Sequence, residues 1–259
     1  MKHSLFLLLI CSTAQAQNKY YISPAGNNSN SGTSAAAPWQ TITRHNSAVI
    51  ASGDSVLFQS GQTFPGTVAA KQGVKYGVYG GTAPAVISAF ATAASWQLHS
   101  PGIYRCQATG APTTLNLVTV NGRPAEMGRY PNSDSANGGY LNYESFNGST
   151  SITDNQLPAA PNWTGARVVV RKNEWSLDRC RITGHTGTTI NFATPTSNIN
   201  GIGADVWTGK AGYGYFITDD IRTLNKLHEW YYNPADGYLY MFFGNNNPAG
   251  YVVKYSTAD

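Results

Sequence analysis

Charge is scarce in this chain: Lys, Arg, Asp and Glu together supply 12% of its 259 residues. Lysine, glutamate and leucine, the residues that usually fill exposed helix faces, are sparse, so long solvent-facing helices are not expected. The formal charge is only +4, one unit of it from Lys2. That is too little for an electrostatic grip on nucleic acid, whose binding rests on many phosphate contacts. Long apolar runs are missing as well. "LFLLLIC" at the start falls far short of the ~20 residues that a membrane span needs. Histidines are few, and none stands in the paired spacing of a metal site: His45, His99, His185 and His228 are scattered. There is no G-x-S-x-G elbow and no phosphate-cradling glycine loop.

What is present at the start is a leader. "MKHSLFLLLICSTAQAQ" has a positive beginning, an apolar centre and small residues at Ala14 and Ala16. This is the pattern of a secretory signal peptide over 1–16, cut after Ala16. The expected product is an exported protein. Beyond the leader lie two cysteines, Cys106 and Cys180. In an oxidising compartment they could form a disulfide, or they could stay buried as thiols. Their spacing in sequence does not decide between the two.

Glycine (27) and tyrosine (16) are abundant, which suits short strands joined by turns. "YYIS" reads as a strand and "PAGNNSNSGTSAAAP" as a loop. In "WQTITRHNSAVI", Trp39, Ile42, Asn46, Val49 and Ile50 fall near helical spacing, which predicts a short helix with one apolar stripe. "DSVLFQSG", "TFPGTVAA", "VKYGVYGG" and "AVISA" then follow as short strands, each punctuated by Gly or Pro. That rhythm fits a sandwich or a solenoid, and a solenoid needs its first coil capped. The loop and helix over 23–50 would provide such a cap. From about residue 95 the strands lengthen and the turns become antiparallel. The clearest hairpin is "EWYYNPADGYLYMFF", with Trp230 and Tyr232 set against Tyr238, Tyr240 and Phe242.

"YYISPAGNNSNSGTSAAAPWQTI", "GDSVLF" and "GVYGGTAPAVISA" are similar to the opening of secreted right-handed parallel β-helix proteins of the pectate-lyase-like superfamily. "VNGRPAEMGRYPN" and "HEWYYNPADGYLYMFF" resemble an inserted β-domain in its multi-domain carbohydrate-active members. The resemblance implies an all-β fold: a signal peptide over 1–16, a cap and first coils over 17–94, and an inserted antiparallel domain over 95–250. The segment 251–259 would begin a return to the coils. It also implies an extracellular polysaccharide as partner, and glycosidase or lyase chemistry carried on later coils. Two departures stand out. Asn28 occupies a loop position where the family often has Asp, so a bound calcium is not supported. The chain also ends where further coils would carry the catalytic groups.

A glycosidase needs two carboxylates facing one sugar. Neighbours on a strand point to opposite faces, so Asp219-Asp220 suits a turn or cap better than a catalytic pair. Asp54, after a glycine, reads as a turn residue. Glu174 and Asp178 flank Trp175 in "RKNEWSLDR", which could be a sugar subsite or an ordinary hairpin loop. Arg167, Arg171, Lys172, Arg179 and Arg181 could hold an acidic sugar, since guanidinium pairs well with carboxylate, or could be a solvated face. Trp163, Trp175 and Trp207 stand in loop-like contexts, as a glycan surface or as lids on a core. The substrate-binding candidates are thus Arg129, Arg171, Glu174, Trp175 and Trp207, with no metal ligand and no identified catalytic group. Two functions remain: the front of a carbohydrate-active enzyme, inactive by itself, or a non-catalytic glycan-binding protein.

Overall fold

In the computed structural model, residues 17–175, 177–193, 198–199, 202–203 and 208–258 are described. The leader and Trp207 lie outside these. The protein is all-β, built of several separate sheets, and among the described residues no sheet forms a solenoid. The chain divides into two units, the first ending at Phe90 and the second running from Ala91 to Thr257.

In the first unit, β1 (Lys19–Ile22), β2 (Ser55–Gln59) and β4 (Lys75–Tyr79) pair in parallel in that order, with Tyr20, Val56 and Tyr76 in one row. β3 (Thr63–Pro65) and β5 (Val86–Ser88) form a second parallel pair. β2 alternates strictly, turning Val56 and Phe58 into a core with Ile22, Trp39, Ile42 and Phe64. The expected helix is present but shorter, α1 (Ile42–Ser47). Thr41 caps it, its hydroxyl accepting from Arg44 N at 3.2 Å. Val49 falls beyond the helix end and is 95% exposed, whereas Ile50, also of the expected stripe, packs against the same core as Trp39 and Ile42. The Asn/Ser/Gly loop wraps Trp39. Tyr20 stacks on the indole at 4.9 Å, and Nε1 donates to the Asn30 carbonyl. Gly32, at φ +75°, approaches the ring so closely that a Cβ would lie 2.4 Å from it. The Asn28 side chain accepts from Gln40 N and Thr41 N at 2.9 and 3.0 Å, tying the loop to the helix.

The second unit holds two cores. Around the first, β7 (Gln97–Ser100), β8 (Ile103–Gln107), β21 (Trp230–Asn233) and β22 (Tyr238–Phe242) make an antiparallel sheet. β6 (Phe90–Thr92), β9 (Val118–Val120), β10 (Arg123–Pro124) and β23 (Val253–Ser256) make another. The segment expected to begin a return to coils thus supplies β23, antiparallel to β9. The aromatic hairpin forms with a shifted facing. Its four-residue turn sets Trp230 opposite Met241 and Tyr232 opposite Leu239, so Leu239 and Met241 share the core side with Trp230 and Tyr232. The aromatic pair across the strands is Tyr231 on Tyr240 instead, stacked at 5.8 Å.

The second core lies under an eight-stranded sheet. Its strands are β11 (Arg129–Tyr130), β12 (Leu141–Asn142), β13 (Ser145–Asn147), β14 (Ser151–Thr153), β15 (Arg167–Arg171), β16 (Leu177–Thr186), β17 (Thr189–Phe192) and β20 (Gly214–Thr218). β18 (Asn198–Ile199) and β19 (Ile202–Gly203) pair as a small hairpin. On β16 the alternation is clean from Leu177 to Ile182. Asp178, Cys180 and Ile182 are buried, while Leu177, Arg179 and Arg181 face out. Cys180 sits in this second core and Cys106 in the first, and both are free thiols.

Candidate functional site

Antiparallel β15 and β16 are joined across residues 172–176, and the geometry of the site begins there. Val170 pairs with Asp178 and Arg171 with Leu177. Below the loop, Lys172 Nζ meets Asp178 Oδ2 at 2.6 Å, with both side chains almost wholly removed from water. Lys172 also donates to the Ser149 carbonyl at 3.2 Å. The buried Asn173 side chain accepts from Trp175 N at 2.7 Å, and Arg171 donates to the carbonyls of Asn173 and Glu174. A loop held from beneath in this way presents its tip outward. Trp175 is 84% exposed.

Beside this tip lies an open cleft of about 410 Å³, whose walls include Arg171, Glu174, Trp175 and Leu177. Tyr213, Tyr140 and the amides of Asn137 and Asn142 line it from outside the loop. Glu174 Oε1 accepts from Tyr213 Oη at 2.8 Å and from Lys210 Nζ at 3.3 Å. The Tyr213 hydroxyl and the Lys210 ammonium hold its carboxyl below the usual range, so it is ionised at neutral pH. Arg171 and Lys210 lie over the Tyr213 ring at 5.3 and 5.1 Å. Buried Tyr143 links Arg171 to Lys210, its hydroxyl donating to the Arg171 carbonyl and accepting from Lys210 N. Asn142 donates to the Gly212 carbonyl, and Asn137 to Asn142.

Glu174 is the single carboxylate among the residues that line the cleft. Other candidate carboxylates are committed elsewhere. Asp219 takes Arg167 at 2.7 Å, and Asp220 caps a short 3-10 turn over Ile221–Thr223 and pairs with Arg222. Asp54 accepts from Asn18 N and Ala51 N in a turn. Glu229 is buried at the start of the aromatic hairpin, where Oε2 accepts from the amides of Asn225 and Lys226, and burial pushes its carboxyl up. Among the described residues no cluster of His, Cys, Asp or Glu could hold a metal ion, and no helix is long and apolar enough to cross a membrane.

The structure therefore brings together three of the five binding candidates, Arg171, Glu174 and Trp175. Arg129 stands apart from the cleft wall. Its guanidinium rests on Phe216 at 3.7 Å, faces Tyr140 at 5.2 Å, and donates to the carbonyls of Pro131 and Gly139. Trp163 is buried, stacked on Tyr130 at 5.4 Å. Tyr140, Tyr213, Lys210, Asn137 and Asn142 carry no sequence signal of their own. Glu174 and Tyr213 are 39 residues apart, and only the fold brings them together.

No family model matches the chain, and no curated protein matches it in sequence. Among solved structures it is similar to a glycoside hydrolase, with TM-score 0.63 and 16% identity over 92% of this chain. It also aligns with XylC in complex with xylose, at TM-score 0.40 and 13% identity over 92% of this chain and 31% of that one. The chain spans 45% of the length of that glycoside hydrolase, and what the two share is an all-β fold.

Proposed function

We propose that this protein is the glycan-engaging front portion of an exported carbohydrate-active β-protein, and that it binds a polysaccharide at the cleft beside Trp175 without cleaving it. The observation that carries this reading is the exposed indole of Trp175 next to one ionised carboxylate, one guanidinium and two amides. An aromatic face with a few placed polar groups is what a sugar ring requires, since one side of the ring is apolar and its rim is hydroxylated. Hydrolysis needs a second carboxyl group, protonated, at roughly 5–10 Å across the sugar. Among the described residues Glu174 is the single carboxylate lining the cleft and is held ionised, which favours binding over hydrolysis there.

The parallel pairs of the first unit support a finer reading. β2 and β3 make one short circuit of the chain, and β4 and β5 repeat it, each pairing in parallel with its counterpart. We read these as the first rungs of a right-handed parallel β-helix, with 95–250 as an inserted antiparallel domain.

The test is retention of the full chain on polysaccharide gels, with released reducing ends measured in parallel. The expected result is retention by at least one glycan and no release. Trp175→Ala should weaken retention at least tenfold, about 1.4 kcal/mol, and leave the melting temperature unchanged. Failure to retain any glycan, or a Trp175→Ala variant that binds as well as the parent, overturns the proposal.

A further inference from the structure

The register of the large sheet gathers arginines that lie far apart in sequence. Arg129, Thr218, Arg167 and Arg181 form one row across β11, β20, β15 and β16. Phe216, Val169 and Arg179 form the next, and Arg171 with Leu177 a third. All three rows belong to the face opposite the core, because the rows between them hold the buried pairs Val168–Cys180 and Val170–Asp178. Arg171, Arg179 and Arg181 are exposed. Among the described residues none of the three is in an ion pair with a carboxylate, whereas Arg167 is tied to Asp219.

The cleft beside Trp175 lies at one end of this face, through Arg171 and Leu177. Further along is a second hollow, of about 210 Å³, lined by Arg179, Trp230, Tyr232 and the Arg167–Asp219 ion pair. Leu177 and Arg181 are roughly 14 Å apart at the rise of an antiparallel strand, with Arg179 between them on the same outward face. From this we infer that the glycan bound by this protein is acidic, its carboxylate or sulfate groups received by Arg179 and Arg181 while a ring rests at Trp175. This rests on the glycan-binding reading above and adds the class of ligand. Guanidinium is suited to the task, since its planar fork meets two oxygens of a carboxylate or sulfate at once.

The experiment measures affinity of the full chain for polygalacturonate, dextran sulfate, neutral dextran, neutral xylan and single-stranded DNA. Expected is at least tenfold tighter binding of one acidic glycan than of either neutral one at about 0.02 M salt, a gap that closes near 0.5 M as charges are screened. Whether polygalacturonate or dextran sulfate binds more tightly identifies carboxylate or sulfate as the group recognised. Arg179→Gln with Arg181→Gln should erase the gap at least tenfold without altering neutral-glycan binding. Arg179→Lys with Arg181→Lys, which keeps the charge but loses the planar fork, should retain only part of it. Acidic glycans bound no more tightly than neutral ones overturn the inference. So do a Gln pair without effect, a Lys pair as damaging as the Gln pair, and DNA bound as tightly as the acidic glycan. If neutral glycans still bind through Trp175 in those cases, the glycan-binding reading stands alone. If no glycan binds at all, both fall.

Discussion

Thiol chemistry depends on the thiolate, and burial raises the energy of that charged form at both cysteines. The Cys106 thiol is pushed up to about 12 and the Cys180 thiol up to about 11, chiefly by desolvation. With the two residues in different cores, both should be inert in the folded protein. Ellman's reagent at about pH 8 is expected to find neither until denaturant is added, and then both. Loss of both thiols in unreduced, unfolded protein would show a disulfide and refute this arrangement. The tryptophans teach a similar lesson. Trp163 and Trp175 look alike in sequence, each near polar and turn-forming residues. Trp163 precedes a strand and folds back under the sheet against Tyr130, while Trp175 sits at a loop tip with nothing above it. Local composition shows that both are near turns, but burial depends on what the rest of the sheet places over them.

The β15–β16 connection owes its shape to the Lys172–Asp178 pair, 2.6 Å apart and out of water. Deleting one partner strands the other charge, which costs about 3–5 kcal/mol. Lys172→Met or Asp178→Leu alone should therefore lower the urea midpoint sharply, and the double replacement should recover most of the loss. Equal destabilisation by the single and double variants would count against a coupled pair. Each of the two single variants should also weaken glycan retention, because the loop presenting Trp175 would lose its support. In the first unit α1 carries a pH-dependent element. His45 is fully buried, with Nδ1 2.9 Å from Asn46 Oδ1 and Nε2 3.2 Å from Tyr76 Oη, itself an acceptor for Lys71 N. Burial, with Lys71 nearby, lowers its pKa against the opposing Asn46 hydrogen bond. As pH falls the unfolded chain takes up the proton first. The stability from neutral His45 is thus complete above about 6.5 and is lost as pH drops from there through the lower folded value. Urea midpoints between about pH 8 and pH 5 should fall for the parent and flatten for His45→Gln. A parallel fall in both would remove His45 as the cause.

At the scale of the molecule, the parallel sheets of the first unit end in strands whose outer edges are unpaired among the described residues. β4 lies at one end of its sheet, and β5 has a single neighbour. Tyr76, Val78, Val86 and Ile87 on these strands are 38–51% exposed. An exposed apolar strand edge is a template for further pairing. The full chain is expected to self-associate with rising concentration in light scattering, and Val86→Lys, placing a charge on the edge, should return it toward monomer. A parent that stays monomeric at every concentration would show that these edges do not recruit another strand.

The sequence alone determined the all-β class, because tyrosine, threonine and glycine are plentiful while lysine, glutamate and leucine are scarce. It also determined the existence of a short helix after Trp39 and of the aromatic hairpin. These are local properties, written in spacing and turn chemistry within a dozen residues. Tertiary structure alone decided the facing of that hairpin, since register depends on how many residues the turn consumes. It decided the burial of Trp163 and the separation of the two cysteines, both set by which strands come to overlie which. It also decided the composition of the cleft. Glu174 and Trp175 could be singled out in the sequence, but Tyr213, Lys210, Tyr140, Asn137 and Asn142 reach them only through the sheet, and strand pairing over tens of residues leaves no periodic mark on the chain.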